Sequence, residues 1–301
     1  MGTVGARAHV TGWLAGAVLA ASVALAISLT TAPVASAALA VSAAAGPSGI
    51  AAKSAAVQDV VTGKLLWSRA LNTERPMASI TKVMTALVVI RAGDLNQKIT
   101  IPSAVIDYVL EWDASNAGLQ PGDRLTAREL LYGLMLPSGA DAAYALAWAY
   151  GPGLSAFIRK MNVTAKLLGM TRTYFSNFDG LPYPTEYSTY STPADLLRLG
   201  RAAMTMPVFR SVVDQRTYRL AAGSGHHAYT WNNLNPLLGR YPGAIGIKPG
   251  YTHAAGQCLL FEATRNGYSL IGVTLDSPGS ISTVGAIAAT RILNWAFSQP
   301  R

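Results

Sequence analysis

The chain has 301 residues, of which 50% are hydrophobic and 13% are charged, and its formal net charge is +9. This apolar fraction excludes a disordered chain, and the length is enough for one large domain or two small ones. The single cysteine, Cys258, excludes a disulfide within the chain and a metal cluster built on cysteines. The 24 basic side chains outnumber the 15 acidic ones, which favours an anionic partner. Composition alone does not decide whether that partner is nucleic acid, membrane headgroups or wall polymers.

The first 37 residues have the pattern of a secretory signal peptide. Arg7 is their only charged side chain, an apolar run extends over residues 13–29, and Ala35-Ser36-Ala37 supplies a small-x-small cleavage site. The run is also nearly long enough to span a bilayer, so membrane attachment through an uncleaved anchor is the alternative. We expect a secreted or extracytoplasmic protein, and the scattered arginines, without a DNA-binding motif, argue against nucleic acid as a partner.

Residues 38–54 are rich in Ala, Ser and Gly and predict a flexible linker, which would leave residues 55–298 as the folded domain. The domain opens with two short β-prone runs around Thr62-Gly63, a pattern typical of a β-hairpin. Apolar residues at helical spacing follow, and a mostly helical block extends over about 95–206. The predicted elements in chain order are a hairpin over 55–61 and 64–69 and helices over 79–91, 125–136, 142–150, 154–168 and 194–204.

The last third of the chain changes to a strand pattern. Residues 257–264 and 268–276 are β-prone, and the turn between them contains Asn266-Gly267, the strongest short hairpin signal. An amphipathic helix is predicted over 281–297. Strands therefore lie at both ends of the mature chain with helices between them. This order predicts an α+β fold in which both ends complete an antiparallel sheet and a helical subdomain is inserted.

Ser79 and Lys82 are the first residues whose spacing suggests chemistry. Positions i and i+3 of a helix face the same side, so the Lys82 amine can lie beside the Ser79 hydroxyl. A serine is a weak nucleophile that needs an adjacent base, and a lysine can serve once its pKa is lowered enough to leave it neutral. The pattern alone is weak, because a capped helix with a surface lysine would have the same sequence.

Two later segments add candidate groups. Ser138 lies in Pro137-Ser138-Gly139-Ala140-Asp141, a tight break between two predicted helices. Lys248 lies on a predicted strand between Gly246 and Gly250, where glycines allow a ligand to approach the backbone closely. A sheet edge that carries a cation suits an extended peptide ending in a free carboxylate, because main-chain bonds align the peptide and the ammonium holds its end.

The order and spacing of these segments resemble the serine D-alanyl-D-alanine carboxypeptidases, the low-molecular-weight penicillin-binding proteins. That family carries Ser-x-x-Lys, then Ser-x-Asn, then Lys-Thr-Gly. The likeness extends over about residues 55–297. Matching segments around the three motifs are Arg75-Pro76-Met77-Ala78, Leu134-Met135-Leu136-Pro137-Ser138-Gly139, Asn177-Phe178-Asp179-Gly180-Leu181 and Leu238-Gly239-Arg240-Tyr241-Pro242-Gly243.

The resemblance implies a β-lactamase/DD-peptidase-like fold with a five-stranded antiparallel sheet. It implies a carboxypeptidase that removes the terminal D-alanine of peptidoglycan stem peptides and is acylated by β-lactams as covalent inhibitors. It requires no cofactor and no metal, and His226-His227 has no carboxylate at a ligand spacing. The implied roles are Ser79 as nucleophile, Lys82 as its base, Ser138 as proton relay, the N–H groups of Ser79 and Tyr251 as oxyanion hole, and Lys248, Gly250, Tyr251 and Thr252 as substrate-binding residues.

Two positions depart from the family pattern and leave alternatives open. Ala140 stands where the second motif usually has asparagine, and Pro249 stands where the third usually has threonine. Preorganised polar groups of this kind are each worth about 10²–10³ in rate. A weakly active or non-catalytic peptidoglycan-binding or penicillin-binding protein is therefore the main alternative. A β-lactamase is a lesser one, because Glu186 does not lie in the sequence context of a deacylating glutamate.

Overall fold

The computed structural model describes Met1, residues 46–279 and residues 284–300. The predicted signal peptide and the first part of the predicted linker lie outside the described residues, apart from Met1. No helix in the described part of the chain is long and apolar enough to cross a membrane.

Eleven strands and eight helices are formed by the described residues. In chain order the strands are β1 (Ser54–Asp59), β2 (Leu65–Arg69), β3 (Arg75–Pro76), β4 (Lys98–Thr100), β5 (Arg124–Thr126), β6 (Tyr190–Ser191), β7 (Thr217–Leu220), β8 (Tyr229–Asn232), β9 (Ala244–Thr252), β10 (Gly256–Arg265) and β11 (Tyr268–Ser277). The helices are α1 (Thr81–Ala92), α2 (Ala104–Glu111), α3 (Ala127–Met135), α4 (Ala140–Tyr150), α5 (Leu154–Leu167), α6 (Pro193–Met204), α7 (Pro207–Val213) and α8 (Val284–Ser298).

The predicted five-stranded antiparallel sheet is confirmed, with the strand order β2-β1-β11-β10-β9. Both ends of the domain contribute to it, because β1 pairs with β11 along its whole length. The β10–β11 hairpin closes through Asn266 and Gly267, whose φ angles of 49° and 72° are those that a two-residue hairpin turn requires. Three further two-stranded ribbons, β3–β6, β4–β5 and β7–β8, were not predicted, since each strand has at most four residues.

Helices cover the two faces of the sheet. On one face α8 packs against β10 and β11, and on the other α6 packs against β1 and β11. The remaining helices extend the core on the α6 side. Although α6 falls within the block predicted as an inserted subdomain, it lies directly on the sheet. Gly200 allows this approach, because a Cβ there would lie 2.7 Å from the Ile271 side chain.

Part of the predicted flexible linker is packed against the domain. Ile50 and Ala52 are buried beside α8, and Arg69 donates a hydrogen bond of 2.6 Å to the Ile50 carbonyl. Ser54 already belongs to β1. The ordered region therefore begins before residue 55, because two apolar side chains in an otherwise small-residue stretch fill space beside α8. The predicted start of the last helix, residues 281–283, lies outside the described residues.

Candidate active site

Ser79 lies where the chain turns from β3 into α1. A single 3₁₀ turn, Ala78–Ile80, precedes the α-helix, so the helix proper begins at Thr81, two residues later than predicted. The i, i+3 spacing has the predicted consequence: Lys82 Nζ donates a hydrogen bond to Ser79 Oγ at 3.1 Å. A serine hydroxyl and an amine are thus in direct contact.

Lys82 is almost completely buried, with 1% of its surface exposed. Burial disfavours the charged form and lowers its pKa, an effect that the charges of Asp179 and Asp141 partly oppose. Its Nζ also donates to the backbone carbonyl of Asp179 at 3.0 Å. The structure therefore holds a lysine with a lowered pKa in a fixed position against a serine hydroxyl, which is the arrangement a general base needs.

The segment that supplies this carbonyl is held by its own side chains. Asn177 Oδ1 accepts from Gly180 N at 2.7 Å, and its Nδ2 donates to the Leu181 carbonyl at 2.8 Å. Gly180 has a φ of +87°, and a Cβ there would overlap the Ala78 carbonyl. The contact between Asp179 and Lys82 was not predicted, although the segment 177–181 was one of those that carried the family resemblance.

The side chain of Asp179 is buried, and its charge acts on Lys82. Its Oδ2 accepts a hydrogen bond of 2.7 Å from the Tyr108 hydroxyl. Burial raises the pKa of Asp179, while Lys82 and this hydrogen bond lower it. Burial and the neighbouring carboxyl raise the pKa of Tyr108, so the phenol stays a donor.

Ser138 lies in the turn between α3 and α4, as predicted for a break between helices. Its φ is +66°, a left-handed conformation that is unfavourable for a residue with a Cβ. Two hydrogen bonds join this turn to Ser115: the Ser115 hydroxyl donates to the Ser138 carbonyl at 3.0 Å, and Ala140 N donates to the Ser115 carbonyl at 2.8 Å. Nothing in the sequence pattern around Ser115 indicated this contact.

Lys248 lies on β9 with its side chain fully buried. Its Nζ has no hydrogen-bond partner among the described residues. Burial, together with repulsion from Lys82, lowers its pKa well below the usual value. The structure thus contains a second buried amine close to Lys82, and the hydrogen-bonding capacity of this amine is unused among the described residues.

β9 is an edge strand, and Pro249 defines which of its groups face outward. Lys248, Pro249 and Gly250 pair in unbroken register with β10. A proline in an edge strand occupies a position whose nitrogen points away from the neighbouring strand. Because strand residues alternate, the N–H and C=O of Tyr251 also point to the open edge. With the Pro249 carbonyl, which points the same way, this edge can therefore offer one backbone donor and two acceptors to an extended ligand.

Gly250 brings the strand into contact with the Ser79 backbone. A Cβ on Gly250 would lie 2.8 Å from Ser79 N and 3.1 Å from Met77 O, distances that a larger residue could meet only if the backbone moved. The close approach places the open edge of β9 beside Ser79. The lack of space for a side chain thus explains why this position of the third motif is a glycine.

A cleft of about 210 Å³ contains the predicted residues except Lys82, which lies beneath it. Ala140 is fully buried and does not line the cleft. Within the described ranges there is no group of three or more His, Cys, Asp or Glu side chains arranged for a metal ion. The cleft is lined by Ser79, Ser138, Lys248, Pro249, Gly250, Tyr251 and Thr252, together with Asp113, Ala114, Ser115, Gly180, Leu181 and Leu234.

The fold and this site define an enzyme class: a serine acyl-transfer enzyme in which a lysine takes the place of the usual histidine base. The sequence profile of the D-alanyl-D-alanine carboxypeptidases, peptidase family S11, matches residues 40–279. The chain belongs to this family, which confirms the predicted family and enzyme class.

Relatives and solved structures agree with this assignment. A D-alanyl-D-alanine carboxypeptidase of Streptomyces sp. (strain K15) is 42% identical over 261 residues, covering 83% of this chain and 88% of that protein. The crystal structure of the Streptomyces K15 DD-transpeptidase superposes with a TM-score of 0.79 and covers 85% of this chain and 100% of that one. A D-alanyl-D-alanine carboxypeptidase structure from Mycobacterium tuberculosis, 34% identical, gives a TM-score of 0.75 and covers 85% and 97% of the two chains.

Proposed function

We propose that this protein is an exported serine carboxypeptidase that removes the terminal D-alanine of peptidoglycan stem peptides through an acyl-enzyme on Ser79. The observation that carries the proposal is the 3.1 Å hydrogen bond from Lys82 Nζ to Ser79 Oγ, in a cleft shared with Ser138 and Lys248. Peptidoglycan lies outside the cytoplasmic membrane, so this substrate requires export, for which residues 1–37 would serve as the signal.

The edge of β9 suits the end of such a peptide. An extended stem peptide would pair with the outward N–H and C=O of Tyr251, and its terminal carboxylate would take the unused hydrogen-bonding capacity of Lys248. Gly250 keeps this edge next to the nucleophile. Thr252 lies at the end of the cleft, where its hydroxyl also accepts a hydrogen bond from Ala255 N at 3.1 Å.

Acylation needs one proton acceptor and one oxyanion site. Neutral Lys82 would take the proton of the Ser79 hydroxyl as Oγ attacks the carbonyl carbon of the penultimate D-alanine. The N–H groups of Ser79 and Tyr251 would stabilise the negative oxygen of the tetrahedral intermediate. The carbon–nitrogen bond then breaks, and the proton passes through Ser138 to the amine of the leaving D-alanine.

Deacylation would complete the cycle with water. A water molecule attacks the Ser79 ester and its proton is taken by the Lys82 amine. Lys82 then returns a proton to Ser79 Oγ as the ester bond breaks, and the shortened peptide leaves with a new carboxylate. β-Lactams would react with the same hydroxyl, because their strained amide carbonyl can occupy the same oxyanion site. Their acyl product remains attached to the leaving amine and is therefore expected to hydrolyse slowly.

The experiment is mass spectrometry of the protein after exposure to penicillin, combined with measurement of D-alanine released from a D-Ala-D-Ala peptide. We expect a covalent adduct and released D-alanine, both lost in Ser79→Ala. Ser211→Ala is the matched control, because Ser211 is an exposed serine of α7 outside the cleft. If the parent protein gave neither product, the proposal would be wrong.

Ala140 and Pro249 support a second candidate, a peptidoglycan-binding protein that acylates slowly or does not turn over. Ala140 offers no side-chain amide, and Pro249 offers neither a hydroxyl nor a backbone N–H to the cleft. The double variant Ala140→Asn/Pro249→Thr separates the two candidates. Turnover that appears only in the variant would favour the binding protein, and equal turnover in parent and variant would favour the enzyme.

A further inference from the structure

A groove lies between the last turn of α1 and the outer side of α5, away from the catalytic cleft. Its volume is about 620 Å³. Its lining is largely apolar and its rim is basic. The apolar side chains that line it are Val88, Ala92, Ala156 and Val163, and the exposed cations of its rim are Arg91, Arg159 and Lys160.

The charged side chains that line the groove are all positive. Residues 142–178 contain no Asp or Glu, while Arg159, Lys160, Lys166 and Arg172 fall within them. Neither Arg91 nor Arg159 forms an ion pair with another described residue. Lys160 Nζ donates to a backbone carbonyl, that of Tyr150, which leaves its charge uncompensated. The rim is therefore complementary to an anionic surface.

Exposed apolar side chains continue the groove along α5. Val163 and Leu167 are 56% and 77% exposed and lie one turn apart, on the same side of the helix as Arg159. Apolar side chains flanked by cations, with no acid between them, are typical of a helix that lies at a bilayer surface. A soluble polyanion would match the cations but would leave the apolar side chains in water.

We propose that this groove, together with Val163 and Leu167, docks onto a bilayer that contains anionic phospholipids. Arg91, Arg159 and Lys160 would meet the headgroup phosphates, and the two apolar side chains would enter the region below them. Lys82 lies nine residues before Arg91 on α1, which places the catalytic lysine about 14 Å from the docked end of the helix. A protein docked in this way holds its cleft off the membrane.

A fluorescent reporter on α5 tests the proposal in the full chain. Its emission depends on the polarity around the groove and not on the environment of residues 1–45. Val163→Cys would be labelled with an environment-sensitive dye, since the native Cys258 is buried. We expect a blue shift with phosphatidylglycerol vesicles, no shift with phosphatidylcholine vesicles, and reversal by salt. Val61→Cys, an exposed valine in the β1–β2 turn, is the matched control and should show no shift.

Charge variants of the labelled protein complete the test. Arg91→Gln/Arg159→Gln should raise the phosphatidylglycerol concentration for half-maximal shift roughly 30-fold. Arg219→Gln/Arg240→Gln, which has the same net charge and lies outside the groove, should leave it unchanged. If the two charge variants needed the same phosphatidylglycerol concentration for half-maximal shift, the proposal would be overturned. A soluble polyphosphate that caused an equal shift would also overturn it and would indicate a wall polymer as the partner. Penicillin labelling of Ser79 should be the same in every variant, which verifies the fold.

Discussion

Lys82 and Lys248 are both buried at one cleft, yet only Lys82 has hydrogen-bond partners. Lys82 Nζ donates to Ser79 Oγ at 3.1 Å and to the Asp179 carbonyl at 3.0 Å. Lys248 Nζ has no partner among the described residues. A buried cation without a partner destabilises the free protein. An anion that enters the cleft supplies the missing hydrogen bonds and opposite charge. We therefore expect Lys82 to exchange a proton with Ser79 and Lys248 to receive the substrate carboxylate.

Lys248→Met is expected to reduce activity without reducing stability. The methionine removes the electrostatic contact with substrate, so the rates of D-alanine release and penicillin acylation should fall about 10²–10³-fold. It also replaces an unpaired buried amine by an apolar side chain, so the free energy of unfolding should stay the same or rise. Denaturant unfolding and stopped-flow acylation measure the two effects.

The pH dependence of unfolding provides the control for this prediction. The pKa of Lys248 is lowered in the folded state, so between that pKa and the unfolded value the unfolded chain binds more protons and stability rises with pH. The stabilising effect of the methionine should therefore be largest at acidic pH and shrink as pH rises. A methionine variant that is less stable than the parent at acidic pH would contradict this account.

Gly250→Ala is expected to abolish acylation. Its Cβ would lie 2.8 Å from Ser79 N, a backbone atom, so β9 or the Ser79 turn must move and the oxyanion site is lost. Gly267→Ala in the β10–β11 turn is the control: its φ of +72° costs about 1–2 kcal/mol of stability, but a Cβ there meets nothing within 4 Å. Penicillin labelling should fail in the first variant and persist in the second. Normal labelling of Gly250→Ala would refute the steric argument.

The strands at both ends of the domain and six of the eight helices followed from local sequence signals, whereas the count of five strands came from the family resemblance. Helices α2 and α7 were not predicted. Alternating β-prone runs and the Asn266-Gly267 turn predicted the β10–β11 hairpin, because turn residues with a positive φ are encoded locally. The i, i+3 spacing likewise predicted the contact between Ser79 and Lys82. These features depend on residues that are close in the chain, which is why local patterns could predict them.

The contacts that were missed depend on residues far apart in the chain. The Asp179 carbonyl reaches Lys82 across 97 positions, and the Ser115 hydroxyl reaches Ser138 across 23. A backbone carbonyl or an exposed serine carries no sequence signal for such a role. The packing of Ile50 was missed for a similar reason, since the small residues around it indicated a linker and its partners lie in α8 and the sheet.

Ser115→Ala is expected to weaken catalysis modestly. Ser115 is a positioning residue, whose hydroxyl holds the Ser138 carbonyl at 3.0 Å while Ser138 has an unfavourable φ of +66°. A single hydrogen bond of this kind contributes about 0.5–1.5 kcal/mol, so kcat should fall about two- to tenfold. Ser115→Thr keeps the hydroxyl and should restore the rate. If alanine and threonine variants were equally slow, the effect would come from packing and the assigned role would be wrong.

Asp179→Asn is expected to shift the pH dependence of acylation toward lower pH. The Asp179 charge raises the pKa of Lys82, opposing the effect of burial. Without that charge the pKa of Lys82 falls further, so the neutral amine that accepts the Ser79 proton persists at a lower pH. Acylation by a chromogenic β-lactam, measured across pH, would show the acid limb of the rate profile displaced to lower pH.

Asp113→Asn is the matched control, because Asp113 lines the cleft but is not among the charges that act on the pKa of Lys82. The acid limb of this variant should stay in place. A limb that moved to higher pH in Asp179→Asn, or moved equally in both variants, would show that Lys82 is not the titrating base.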